Sequence, residues 1–150
     1  MKKLIIFFCF LLITACATKP TIKDGSFYDA QGIEYRFSNA GETIKKEYNL
    51  DSMPVIIVLA TSDVNFPLFI SQLTNVNMLN AEEYEYLLVT ASSKGVDSSG
   101  YYTSTEQAEL ILKGSPFKIL IFNGQGNLVV ESTNLISAID LKKHLTKPSI

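Results

Sequence analysis

Two side chains in this sequence could act as thiol nucleophiles or metal ligands, Cys9 and Cys16. Both fall in the first sixteen residues, so the rest of the chain has no thiol. Beyond that point disulfides, CxxC redox chemistry, thiolate catalysis and cysteine-rich metal sites are excluded. His144 is the one imidazole, and a Ser/His/Asp arrangement would need it. It falls in the last turn of the final predicted helix beside Lys142 and Lys143, where a cation complements the helix dipole. No G-x-S-x-G turn presents a serine nucleophile. Ser62, Asp63 and Asn65 precede a predicted helix, where such residues either bind an anion or peptide backbone or simply cap the helix. Glu82, Glu83 and Glu85 lack the spacing of a calcium loop and read as a solvated face. Gly124-Gln125-Gly126 lacks the third glycine and the strand-to-helix setting of a dinucleotide site, so a turn accounts for it. Tyr101 and Tyr102 end a polar loop; such a pair either anchors a partner or packs into the domain. These patterns imply no metal and no cofactor.

The elements that must position these groups begin after a distinct N-terminal segment. The 150 residues are 47% hydrophobic and 19% charged, which suits one globular domain. A formal net charge of −2 argues against a nucleic-acid partner held by a general basic field. Lys2 and Lys3 precede an unbroken apolar run at residues 4–13 (LIIFFCFLLI), then Thr14, Ala15 and Cys16. A helix crossing a bilayer needs about 20 apolar residues, and this run is too short. A basic start, a short apolar core and small residues before a cut describe a secretory signal peptide over residues 1–15.

Ile13-Thr14-Ala15-Cys16 resembles the lipobox of bacterial lipoproteins. The resemblance implies cleavage before Cys16, a diacylglycerol thioether on its sulfur and acylation of the new amino group. Several acyl chains, at about 0.8 kcal/mol per buried CH₂, hold a membrane far more firmly than one. Ala17, where retained lipoproteins commonly carry Asp, resembles outer-membrane sorting. The expected location is therefore the cell envelope, lipid-anchored at the outer membrane and facing the periplasm. Cleavage would discard Lys2 and Lys3, leaving 135 residues at net charge −4. Residues 16–26, polar and broken by Pro20 and Gly25, read as a lipidated tether to a domain over residues 27–150.

Residues 27–37 predict a hairpin with Ile33, Tyr35 and Phe37 on one face. Residues 38–52 are polar, and their sequence does not separate helix from loop. Residues 54–61 (PVIIVLAT), 86–91 (YLLVTA) and 117–122 (FKILIF) read as buried strands. Pro67 suits a helix start, with Leu68, Phe69, Leu73, Val76 and Met78 at helical spacing. Residues 92–100 read as a flexible loop. Ser104 and Gln107 make a capping box, Gly114 ends that helix, and Leu110, Ile111 and Leu112 are expected to pack. Asn123-Gly124 predicts a tight turn into a strand over 127–131. Ser137 and Asp140 cap a last helix to about Leu145, with Ile136 stapled to Leu141 and Pro148 limiting extension.

The order is strand, helix, strand, helix, strand, turn, strand, helix, read as two right-handed crossovers and a terminal antiparallel strand. With Ser115-Pro116-Phe117 entering the third strand, it resembles the thioredoxin fold. The resemblance implies an α/β, βαβαββα three-layer sandwich with an N-terminal β-hairpin addition. It also implies a cis proline at Pro116 lining a groove. Where thioredoxins carry CxxC, this chain reads Ala60-Thr61-Ser62-Asp63-Val64-Asn65, so thiol–disulfide exchange is not carried over. The chain is most similar to cysteine-less thioredoxin-like proteins. The expected role is a non-enzymatic module binding an envelope protein or peptide near Ser62, Asp63, Asn65 and Pro116. A thiol-independent enzyme such as a hydrolase, or a structural assembly subunit, is the competing expectation.

Overall fold

The computed structural model describes residues 21–95 and 98–145. The signal peptide, the lipobox with Cys16, the first part of the tether, positions 96 and 97 of the polar loop, and Pro148 lie outside the described residues. Among the described residues, no helix is long and apolar enough to cross a membrane.

A 3-10 turn at Ile22–Asp24 leads into the antiparallel hairpin β1 (Ser26–Tyr28) and β2 (Glu34–Arg36). Asp29 builds its turn by accepting the N–H groups of Gln31 and Ile33, each at 2.9 Å, on one carboxylate oxygen. Phe27, Tyr35 and Phe37 are buried as expected, but Ile33 is exposed because it belongs to the turn, one residue before β2 begins. The polar stretch that follows is helix α1 (Ala40–Tyr48). It buries only Ala40, Gly41 and Ile44, which is why no apolar stripe announces it.

The remaining elements are β3 (Val55–Thr61), α2 (Pro67–Asn77), β4 (Tyr86–Ser92), β5 (Tyr101–Tyr102), α3 (Thr105–Leu112), β6 (Phe117–Phe122), β7 (Leu128–Ser132) and α4 (Ala138–Lys142). Every residue of β3 and β6 is buried, the signature of strands covered on both faces. Pro67 opens α2, and Ser104 and Ser137 cap α3 and α4 by accepting the N–H groups of Gln107 and Asp140 at 3.1 Å. Met78 turns to solvent at the end of α2, and its place in the core goes to Leu79. In α3 the buried set is Ala108, Ile111 and Leu112, with Leu110 exposed, because a helix can point only one of three successive residues fully outward. Gln72, though polar, is fully buried; its amide donates to the Ile136 carbonyl at 2.9 Å and accepts the Ile136 N–H at 2.7 Å.

The seven strands form one sheet in the order β2-β1-β5-β4-β3-β6-β7. β3 and β4 are parallel, while β6 runs antiparallel to β3 and β7 antiparallel to β6. Only the first crossover is therefore of the parallel kind expected from sequence. Helix α3 has eight residues and rises about 12 Å. It delivers the chain to Phe117 opposite Thr61, at the same end where β4 stopped at Ser92, so β6 must run back down. The short strand β5, not foreseen, joins the N-terminal hairpin to β4. One core lies under α1 and α3, around Phe27, Ile44, Ile56, Ala108 and Phe122; the other lies under α2 and α4, around Ile57, Phe69, Val76, Ile119 and Leu141. Ile136 packs against the second core, to which Leu141 belongs.

An aromatic cluster closes the first core. Phe27 stacks on Tyr35 at 5.5 Å and meets Tyr101 edge-on at 5.8 Å, and Phe37 stacks on Phe122 at 4.8 Å. The Tyr35 hydroxyl donates to Glu47 at 3.0 Å. Burial, then this bond to Glu47, pushes the Tyr35 pKa far up; burial, then Tyr48, pushes that of Tyr101 up to about 12. The unfolded chain ionises tyrosine near pH 10, so the native state holds these protons more tightly. Their contribution is complete below about pH 10 and is lost as pH rises through the folded values. Denaturant midpoints are expected to fall above about pH 10, and less steeply in Tyr35→Phe and Tyr101→Phe. Equal slopes in the wild type and both variants would refute this assignment.

Candidate functional site

Three segments meet at one rim of the sheet: the end of β3 at Thr61, the end of β4 at Ser92, and the turn entering β6. The ladder continues one step past β3, where the Ser62 N–H donates to the Pro116 carbonyl at 3.0 Å. Pro116 precedes the strand, so its missing N–H breaks no ladder bond. Among the described residues no peptide bond is cis, so the Ser115–Pro116 bond is trans, contrary to the resemblance. The turn is made otherwise. Lys113 and Gly114 both take positive φ, the Ser115 N–H donates to the Leu112 carbonyl at 3.0 Å, and the Ser115 hydroxyl donates to the Phe117 carbonyl at 2.9 Å. That brings Pro116 alongside Ser62 with the ordinary trans bond, the lower-energy isomer.

Beyond Ser62 the chain turns on Asp63. The Thr61 hydroxyl donates to the Asp63 carbonyl at 2.6 Å and accepts the Asp63 N–H at 3.1 Å. The Asp63 carboxylate accepts the Asn65 N–H at 2.9 Å, and its carbonyl accepts the Phe66 N–H at 2.9 Å. This is an Asx turn two residues ahead of the helix, not a helix cap; the N-cap of α2 is Phe66, with no side-chain bond.

Ser62 and Pro116 share an open cleft of about 400 Å³ with Ser93, Ser115, Glu109, Leu112 and Gly114. Asp63 and Asn65 are exposed beside it and do not line it. Sequence reasoning missed Ser93, Ser115 and Glu109. Ser93 and Ser115 flank strand ends at this rim and were legible from topology; Glu109 depends on which face of α3 is buried.

Among the described residues, the cleft offers hydroxyls, one carboxylate and no thiol. The Ser62 hydroxyl donates to the Pro116 carbonyl at 3.4 Å and that of Ser115 to a main-chain carbonyl, so neither is directed at a base. A serine nucleophile needs a base within about 3.2 Å. His144 follows α4, on the face opposite α3 and Glu109. Among the described residues, no three His, Cys, Asp or Glu side chains are grouped to hold a metal. The hydroxyls and carboxylate of the described lining can donate and accept hydrogen bonds.

Tyr101 and Tyr102 lie in β5, both half-buried. The Tyr101 ring joins the aromatic cluster with Phe27 and Tyr35, and the Tyr102 ring leans on Tyr28 at 5.7 Å. Glu82 and Glu83 are exposed, whereas Glu85 accepts the Ser52 N–H at 3.0 Å.

No family model and no curated protein matches the chain. Solved structures do. A candidate electron transfer protein from Aquifex aeolicus VF5 aligns with a TM-score of 0.51 at 13% identity, over 82% of this chain and 88% of its own. A candidate electron transport protein from the same organism gives 0.49 at 13% identity, over 82% and 92% of the two chains. The apo form of Trgpx gives 0.47 at 11% identity, over 83% and 93%. At 13% identity the likeness to the first of these extends to the fold and not to activity. The central strands β4-β3-β6-β7 with helices on both faces, and the N-terminal hairpin added at one side, make this a thioredoxin-like fold.

Proposed function

We propose that this chain is a lipid-anchored cell-envelope protein whose thioredoxin-like domain binds a protein or peptide partner in the Ser62–Pro116 cleft, without thiol chemistry. The observation that carries this reading is the rim itself, where Ser62, Ser93 and Ser115 line the cleft in a chain whose two cysteines both precede residue 17. Hydroxyls there accept and donate hydrogen bonds but cannot cycle through a disulfide. The lipobox supports the anchor on Cys16, and Ala17 supports the outer membrane as its destination, facing the periplasm.

The anchor and the cleft are tested separately. Cys16→Ser is expected to abolish palmitate labelling completely and leave an uncleaved precursor on a gel. Labelling equal to the wild type would refute lipidation. For the cleft, a photoreactive phenylalanine analogue at Ser62 is expected to capture one discrete envelope protein that the same analogue at exposed Gln31 does not. No adduct at position 62, or the same adduct at both positions, would refute binding at this rim.

A further inference from the structure

At the other end of the sheet, where β3 and β4 begin, a pocket of about 300 Å³ opens between the end of α1 and the segment entering β4. Tyr48, Leu50, Pro54, Tyr86 and Tyr101 give it a largely apolar, aromatic wall. Among the described residues, Glu85 is its one charged lining residue, and no lysine or arginine lines it. Glu85 is held in place, since its Oε2 accepts both the N–H of Ser52 at 3.0 Å and the Ser52 hydroxyl, while Oε1 takes no part in either bond. Tyr84 also borders the pocket, but the Lys142 ammonium already lies 6.0 Å from its ring centre.

We propose that this pocket binds a singly charged alkylammonium group, with Glu85 opposing its charge and Tyr48, Tyr86 and Tyr101 surrounding its apolar part. The lining selects that chemistry. One carboxylate among aromatic rings complements one positive charge on an apolar body. An anion would meet Glu85 with no lysine or arginine among the described lining residues to offset it. A sugar would require several polar partners where the walls supply few. Choline headgroups and lysine side chains share the fitting chemistry.

The test is an NMR titration of the ¹⁵N-labelled full chain with choline, with Nα-acetyl-lysine amide, and with 3,3-dimethylbutan-1-ol, the neutral isostere of choline. Saturable shifts are expected at residues 84–87 and at Tyr101 with at least one ammonium. The neutral alcohol is expected to bind roughly five- to tenfold more weakly than choline, from the loss of cation–π and ionic attraction. Glu85→Gln keeps an acceptor for Ser52 and is expected to lose a similar factor for the ammonium ligands. Preference for choline would identify a lipid headgroup, and preference for the lysine amide a peptide side chain; both uphold the proposal. An isostere that binds as tightly as the tighter of the two ammonium ligands, unchanged affinity in Glu85→Gln, or no shifts with either ammonium would overturn it. The isostere comparison uses the unmodified chain, so it stands even if the variant fails to fold.

Discussion

Gly41→Ala lowers the stability of the domain by about 2 kcal/mol, although alanine is the better helix former by about 1 kcal/mol. The expectation rests on one close approach. Gly41 lies in the first turn of α1 and is buried against the β6–β7 turn. A Cβ there would overlap the Gly124 carbonyl oxygen and come 3.1 Å from its carbon and 3.2 Å from its Cα. These are backbone atoms, which no rotamer change can move aside. The turn cannot retreat either. A Cβ on Gly124 would meet Met53, and Gly126 holds φ +77° against the Ser38 carbonyl, so both sides of this contact are backbone packed on backbone. Asn123 fixes the turn further by accepting the N–H groups of Gln125 and Asn127, at 3.1 and 2.9 Å. Inserting a methyl into packed structure costs roughly 1–3 kcal/mol or more, which outweighs the gain in helix propensity. At about 4 °C per kcal/mol for a domain of this size, the melting temperature falls by about 8 °C. Gly100→Ala is the control, because nothing lies within 4 Å of a Cβ at that position. Thermal melts in which Gly41→Ala matches or exceeds the wild type would show that α1 and the turn are not in contact.

That contact also marks where sequence reading stopped. The strands buried on both faces were legible because β3 is an unbroken apolar run rich in Val and Ile up to Thr61 and β6 is one apart from Lys118, a pattern that short surface loops do not produce. The caps were legible because Ser104 and Ser137 stand three residues before the N–H groups they accept. Helix α1 was not legible, since two of its three buried residues are Ala40 and Gly41, which carry little apolar signal. Its packing is a matter of proximity rather than hydrophobicity. Strand β5 is two residues long and owes its existence to pairing with β1 and β4, a tertiary effect that no local pattern encodes. The direction of β6 was misjudged for a related reason: a helix between two strands suggests a full crossover, but α3 is too short to return the chain to the far end of the sheet.

The site divides along the same line. Ser62 drew attention as a polar residue ahead of a predicted helix and Pro116 through the thioredoxin resemblance; in the fold the Ser62 N–H donates to the Pro116 carbonyl at 3.0 Å. Asp63 and Asn65 drew attention by residue type, yet the Asp63 carboxylate and the Asn65 N–H are spent on each other in an Asx turn. Ser93, Ser115 and Glu109 reach the cleft through the path of α3 and the turn after it. The tyrosine-lined pocket shows the limit most clearly. Tyr48, Tyr86 and Tyr101 come from three separate elements, and Glu85 looked like one member of a solvated acidic run until Ser52 was seen to hold it.

Glu131→Gln destabilises the domain by about 1–2 kcal/mol, whereas Lys118→Met at the other end of the same ion pair is neutral or stabilising by up to about 1 kcal/mol. The two groups meet at 2.8 Å, but their surroundings differ: the Lys118 side chain is 8% exposed and that of Glu131 is 41% exposed. Lys118 lies in the central sheet opposite Ala60, with buried Leu120 next on the same face. Its ammonium has given up water and takes the Glu131 carboxylate in exchange. Removing the carboxylate leaves a desolvated charge with a weaker acceptor. That loss is smaller than the roughly 3–5 kcal/mol of a wholly buried pair, because the Glu131 side of the contact still admits water. Removing the lysine instead leaves Glu131 on an edge strand with ready access to solvent, and methionine fills the same elongated space with apolar atoms. The double substitution then behaves like Lys118→Met alone, since no buried charge remains to be satisfied, and denaturant titration of the four proteins measures the whole cycle. Should Glu131→Gln cost no more than an exposed ion pair, about 0.5 kcal/mol, the Lys118 ammonium must reach water by another route, and β7 would not be the seal over that end of the sheet that its position implies.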